Sequence, residues 1–215
     1  MPTRPIVPRL HLVTNRHLCG DRSLAMVVAA AARGGLGAVQ LREKDLPPAE
    51  LLPLARELRQ SLGDTPLIIN TGGERGAFDI ITAVGAAGAH LPEDAGSVAS
   101  TRAALGLAAL IGRSVHSLAE AQAAEADGAD YLILGTIFAT ASKPGRPPAG
   151  LALVAEVARA VRLPVIAIGG LDTGNVAATL RAGAWGVAVM STILTAPDPS
   201  LAVAQLRRII EQEVA

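Results

Sequence analysis

Three polar residues stand at alternate positions of one short stretch: Gln40, Arg42 and Lys44. Alternate side chains of an extended strand share a face. If a strand runs that far, one amide and two cations point the same way, and two converging cations bind a polyanion such as a diphosphate. The competing reading pairs Arg42 with Glu43 or Asp45 on the surface. A third cation, Lys143, sits in a Gly/Pro-rich segment and favours the anion site. A second set joins Gly169-Gly170 to Met190-Ser191. Backbone N–H groups at such positions can take a phosphate, and a glycine lets the anion come close. An ordinary turn is the plain alternative.

The histidines are less specific. Histidine changes charge near neutral pH, so His116 is a candidate general acid or base and equally a hydrogen-bonded core residue. Ser114 and His116 are not a hydrolase pair, because they share one strand and have neither a GxSxG elbow nor an orienting carboxylate. His90 reads as structural, and His11 and His17 show no ligand spacing. Cys19 is the only cysteine, which excludes an internal disulfide and Cys-based zinc or iron–sulfur sites. It reads as a loop or buried thiol.

These residues need elements to position them. Eight short apolar bursts recur: 11–14 (HLVT), 38–42 (AVQLR), 66–70 (PLIIN), 88–92 (GAHLP), 110–115 (LIGRSV), 131–135 (YLILG), 164–169 (PVIAIG) and 186–190 (GVAVM). Nearly continuous runs of Val, Ile and Leu suit strands buried on both faces of a parallel sheet. Helical spacing fills the intervals. Residues 47–62 place Leu51, Leu54, Ala55 and Leu58 on one face. Ser117 precedes the helix 118–127, with Glu120 placed as in a capping box. Residues 199–214 close the chain as an amphipathic helix with Leu201, Leu206 and Ile209 apolar. Gly34-Gly35, Gly63, Gly128 and Gly183 stand at helix ends that need left-handed backbone.

Eightfold strand–helix alternation without a long linker predicts a (β/α)8 TIM barrel, one domain over residues 1–215. The rival is an open doubly wound sheet, and no GxGxxG follows the first strand to support its dinucleotide-binding form. In a barrel the strand C-termini form the active rim. That rule gathers Asn15, Gln40, Arg42, Lys44, Asn70, His90, Ser114, His116, Thr140, Gly170 and Ser191 at one mouth. The loop 138–150, rich in Gly and Pro, is long enough to act as a lid carrying Lys143 and Arg146.

Composition narrows the function classes. Of 215 residues, 50% are hydrophobic and 18% charged, which excludes a disordered chain. Nineteen Lys+Arg balance nineteen Asp+Glu, so no broad footprint for nucleic acid or anionic membrane is expected. Aromatics are only 2%, so a core of Ala, Val, Leu and Ile is expected and a base-stacking surface is not. The start, MPTRPIVPRL, lacks the apolar core of a secretory signal, and no run of about 18 apolar residues suggests a membrane span. A cytoplasmic location is the default expectation, and a homo-oligomer is compatible with it.

The blocks HLVTN, VQLREKDL, LIIN, AHLPED, IGRSVHS, GADYLILGTIFATASKPG, LPVIAIGGL and GAWGVAVMSTIL, in that order, make the chain resemble the thiamin phosphate synthase/thiazole tautomerase family from about His11 to Leu206. The resemblance implies the same barrel. In the synthase branch it implies a transferase of thiamin biosynthesis joining hydroxymethylpyrimidine diphosphate to thiazole phosphate. Diphosphate leaves and a pyrimidine cation is captured by the thiazole nitrogen, which requires neutralisation of the leaving group by Mg2+ and basic side chains. Residue by residue, it implies that Gln40, Arg42, Lys44 and Asn70 hold the pyrimidine diphosphate. Ser114 and Lys143 also touch it. Thr140 and Ser142 would touch the thiazole phosphate, and Gly170 with Met190 and Ser191 would cradle its phosphate.

Two departures concern the metal. The synthase pattern has Asn-Asp at the third strand's end, where this chain has Asn70-Thr71. The second Asp follows His-Leu-Gly-x-x-Asp, where this chain reads His90-Leu91-Pro92-Glu93-Asp94, one residue shorter. Asp94 remains the candidate ligand, Thr71 is a poor one, and Glu74, Asp79 or Glu93 would have to compensate. The tautomerase branch needs no magnesium carboxylates and would use His116 to move protons while aromatising a thiazole phosphate. The third alternative is a barrel that binds thiazole phosphate without turnover.

Overall fold

The computed structural model describes residues 6–71, 75–141, 145 and 147–214. Eight parallel strands close into a barrel: β1 (Leu10–Val13), β2 (Ala38–Leu41), β3 (Leu67–Asn70), β4 (Gly88–Leu91), β5 (Leu110–Val115), β6 (Tyr131–Gly135), β7 (Val165–Ile168) and β8 (Gly186–Val189). Each pairs with its sequence neighbour, and β1 pairs with β8. The helices are α1 (Leu24–Arg33), α2 (Pro48–Ser61), α3 (Arg75–Val84), α4 (Val98–Leu105), α5 (Leu118–Ala126), α6 (Gly150–Ala160), α7 (Val176–Arg181), the one-turn α8 (Ser191–Leu194) and α9 (Pro199–Val214). The expected (β/α)8 barrel is the fold observed, and the open sheet is not.

Strands of period two must face two environments, and the buried residues divide accordingly. Leu12, Val39, Leu41, Leu67, Ile69, Leu132, Leu134 and Val187 point outward into the layer shared with the helices. Val13, Ala38, Ile68, Leu110, Tyr131, Ile133, Ile166 and Ala188 fill the barrel interior. This double burial makes each burst apolar throughout.

The interior is not purely aliphatic, contrary to the expectation from composition. Tyr131, His11 and His90 are buried there, with the Tyr131 ring centroid 5.6 Å from that of His11 and 5.7 Å from that of His90. Space is the reason. A Cβ on Gly112 would lie 2.1 Å from Tyr131 Cζ and 2.6 Å from His90 Nδ1, so the glycine of β5 gives up its side-chain volume to two rings.

Local chemistry sets the helix ends. Ser117 Oγ accepts the Glu120 N–H, but the Glu120 carboxylate accepts from the His116 N–H at 2.7 Å. The capping box is therefore displaced by one residue. Gly34 has a right-handed φ of −72°, and the left-handed residue is Gly35 at +89°. In α9 the buried stripe is Val203, Leu206 and Ile210, while Leu201 is exposed.

Candidate active site

The strand C-termini open into a cavity of about 740 Å³, within the range of small-molecule sites. Gln40 from β2 and Arg42 and Lys44 beyond it line one side. Asn70, Asp94, Ser114 and His116 continue the wall from β3 to β5. Thr140 lies after β6, and Gly169, Gly170, Met190 and Ser191 close the ring after β7 and β8. Ser142, Lys143 and Arg146 lie outside the described residues, as do Gly72, Gly73 and Glu74.

Strand β2 ends at Leu41, so Arg42 and Lys44 do not share the cavity because a strand continues through them. Contacts from the β1 exit impose the alternation instead. Thr14 Oγ1 accepts the Arg42 N–H at 2.9 Å. Both Glu43 carboxylate oxygens accept the Arg16 N–H at 3.1 Å. The Arg16 guanidinium reaches Glu43 at 3.1 Å and grips Asp45 at 2.6 and 2.7 Å. The expected alternative, Arg42 paired with Glu43 or Asp45, is not the arrangement found. Among the described residues no carboxylate forms an ion pair with Arg42, and burial lowers its pKa against the opposing charge of Glu43.

The floor holds neutral polar groups. Gln40 is buried, and its Nε2 has no hydrogen-bond partner among the described residues. His90 lines the cavity and its Nε2 lies 2.8 Å from Ser114 Oγ. Burial is the largest influence on the His90 ring, with positive charge at His11, Arg113 and Arg42 adding to it, and its pKa falls to about 3. His11 falls to about 4 because burial outweighs its bond to the Pro8 carbonyl. At neutral pH both are uncharged hydrogen-bonding groups. Sequence alone assigned His90 only a structural place. The signal available was its register: His90 pairs with Gly112, two residues before Ser114.

His116 also stands on the cavity wall, but both ring nitrogens are engaged. Nδ1 meets the Gly135 carbonyl, and Nε2 lies 2.9 Å from a Glu93 carboxylate oxygen. Opposite, Gly169 and Gly170 have φ of +105° and +63°. A Cβ at Gly170 would stand 2.4 Å from the Ala139 carbonyl oxygen, so only glycine lets these loops close together. Asn175 Nδ2 donates to the Gly170 carbonyl at 2.8 Å, and Thr192 Oγ1 donates to Leu171 at 2.6 Å. The β7 and β8 exits are thereby tied into one rigid cradle. Asn175 and Thr192 carry no signal of that role in the sequence.

For a metal, the described donors are sparse. Asp94 and Glu93 line the cavity. Thr71 is buried and not part of the lining, and Asp79 is exposed on α3 away from it. Among the described residues no three His, Cys, Asp or Glu side chains converge. Magnesium commonly uses one or two carboxylates and completes its shell with substrate phosphates and water, so this donor set fits an ion delivered with a diphosphate.

Residues 10–193 match the family described as thiamine monophosphate synthase. A thiamine-phosphate synthase of Roseiflexus castenholzii is 41% identical over 200 residues, covering 92% of this chain and 86% of that one. This chain belongs to the thiamine monophosphate synthase family. A putative thiamine-phosphate synthase of Geobacter sulfurreducens is 43% identical over 194 residues, 88% of each chain. Thiamine phosphate pyrophosphorylase from Pyrococcus furiosus has a similar structure, with TM-score 0.84, 31% identity and coverage of 96% of this chain and 97% of that one. A 3-hexulose-6-phosphate synthase, at 20% identity and TM-score 0.72, shares the barrel alone. No helix among the described residues is long and apolar enough to cross a membrane.

Proposed function

We propose that the mouth carries out the synthase reaction of its family. A hydroxymethylpyrimidine diphosphate and a thiazole phosphate combine to thiamin phosphate, with release of diphosphate. The carrying observation is the pairing of two unlike anion sites across one cavity: Arg42 and Lys44 on the β2 side and the glycine cradle after β7 and β8.

The methylene carbon–oxygen bond of the pyrimidine substrate breaks, and its electron pair leaves with the diphosphate. The thiazole nitrogen then donates its lone pair to the pyrimidine methylene carbon. Arg42 and Lys44 stabilise the charge that grows on the departing group, where fixed cations act most strongly. Asn70 and Ser114 orient that group, and Lys143, outside the described residues, is the further cation that the family resemblance assigns to it. Gln40, whose buried Nε2 has no hydrogen-bond partner among the described residues, offers a donor to the pyrimidine ring. Gly170, Met190 and Ser191 cradle the thiazole phosphate, with Thr140 beside it; Ser142, outside the described residues, is a further contact that the family resemblance assigns. A magnesium ion, when bound, neutralises charge on the diphosphate, and Asp94, with Glu93 beside it, would hold it together with the diphosphate oxygens.

The isomerase alternative needs His116 as a mobile acid–base group. Its engagement at both nitrogens speaks for a fixed wall residue. The test supplies both substrates and magnesium and follows diphosphate. Release that requires both substrates is expected. No release at saturation would reject the synthase reading, and proton exchange into a thiazole phosphate that stops in His116→Asn would favour the isomerase.

A further inference from the structure

We propose that Arg16 is a positioning residue that draws Glu43 and Asp45 away from the cavity, leaving Arg42 and Lys44 there without a carboxylate ion pair among the described residues. The proposal rests on the reading of the mouth as a diphosphate site. It concerns a residue outside that site's lining.

The segment Arg42-Glu43-Lys44-Asp45 carries two positive and two negative side chains. Left to itself beyond the end of β2, it would offer a diphosphate no net attraction, because each cation has a carboxylate one residue away. The fold separates the charges onto two sides. Arg42 and Lys44 line the cavity. Glu43 turns away until its side chain is 1% exposed, and there it meets Arg16. Asp45 takes the other edge of the same guanidinium, with His17 Nε2 at 3.1 Å on its Oδ2.

One arginine thus engages both carboxylates, through its guanidinium and, for Glu43, through its backbone N–H. Arg16 is held well above the ordinary arginine range, first by Asp45, with Glu43 adding to it against partial desolvation. The planar fork of arginine suits two carboxylates at once, which a lysine ammonium cannot match. With the Arg16 side chain removed, Glu43 keeps only the backbone N–H of residue 16 and Asp45 only His17, and their charge is then balanced by the cations of their own segment, Arg42 and Lys44. A bound anion would then have to displace an internal one.

The test is calorimetric titration of inorganic diphosphate into the folded chain at low ionic strength, where charge effects are least screened. Arg16→Met should weaken binding at least about tenfold, the scale of losing one charge-assisted contact. The triple variant Arg16→Met/Glu43→Gln/Asp45→Asn should recover affinity to within about threefold of the starting protein, because nothing remains to neutralise the cations. A purely structural role for Arg16 would not give that recovery. Where Arg16→Met does not fold, Arg16→Lys should give a smaller loss that Asp45→Asn cancels. Unchanged affinity in the Arg16 variants overturns the proposal, as does a triple variant as weak as the single one. Unchanged affinity in Arg42→Met would instead overturn the diphosphate reading itself, and this proposal with it.

Discussion

Two half-buried arginines mark the two poles of the barrel, and they are used in opposite ways. At the N-terminal pole Arg9 lies over the Trp185 ring, 3.6 Å from its centroid, and donates to the Trp185 carbonyl at 2.5 Å. The Trp185 indole N–H in turn donates to Val7 at 3.0 Å. That cation is held by contacts within the fold. At the C-terminal pole Arg42 is also desolvated, yet among the described residues it has no carboxylate in an ion pair. Desolvating a charge without a partner is costly. Such a residue at the mouth of a cavity stores attraction for an anion from outside. Of these two cations, the one stacked and hydrogen-bonded within the fold sits at the N-terminal pole, and the one without a carboxylate ion pair among the described residues sits where ligands enter.

Exchanging the two arginines' fates is the sharpest way to break this comparison. Arg42→Met is expected to lower kcat/KM for diphosphate release by about 10²–10³-fold, the usual cost of one group aimed at developing charge. Its melting temperature should stay level or rise, because a desolvated charge has gone; steady-state kinetics beside a thermal melt checks both. Gly170→Ala comes next. At φ +63°, with Ala139 oxygen in the way, it should raise KM for the thiazole phosphate about tenfold or more. KM for the pyrimidine diphosphate should change little, and equal rises in both would deny that the cradle is a separate site.

Arg9→Ala should do the reverse of Arg42→Met. A loss of about 1–3 kcal/mol of stability is expected from the stacked and hydrogen-bonded guanidinium, with kcat/KM within about twofold of the starting value because Arg9 lies away from the active mouth. Denaturant unfolding together with the release assay decides it.

The smallest effect is on the acid side of stability. His11 and His90 have folded pKa values of about 4 and about 3, below the ordinary 6.5. Between those values the unfolded chain binds more protons than the folded one, so stability rises with pH there. It is fully present above the ordinary value and is lost as pH falls toward 4 and then 3. His11→Gln should make that decline shallower, as read by melting temperature against pH. An unchanged slope would show that His11 is not a buried neutral group.

The comparison also shows what could be read from the chain itself. The eight bursts were legible because both strand faces are buried, which leaves an apolar signal at every position of Leu67–Ile69 or Tyr131–Leu134. The rim residues were legible because barrel geometry places whatever follows each burst at the same pole. What was not legible depends on contacts between distant segments. Strand parity suggested that Arg42 and Lys44 share a face, but Thr14 and Arg16 produce that result after the strand has ended. The interior rings were hidden too. Nothing local to Gly112 announces that its missing side chain makes room for Tyr131 of the next strand and His90 of the preceding one.

The central claim is that one mouth holds two separate anion sites that are occupied together. Inorganic diphosphate and thiazole phosphate titrated singly, and then each in the presence of the other, test it directly. One equivalent of each is expected to bind, with neither displacing the other. Mutual displacement at a single shared site would contradict it.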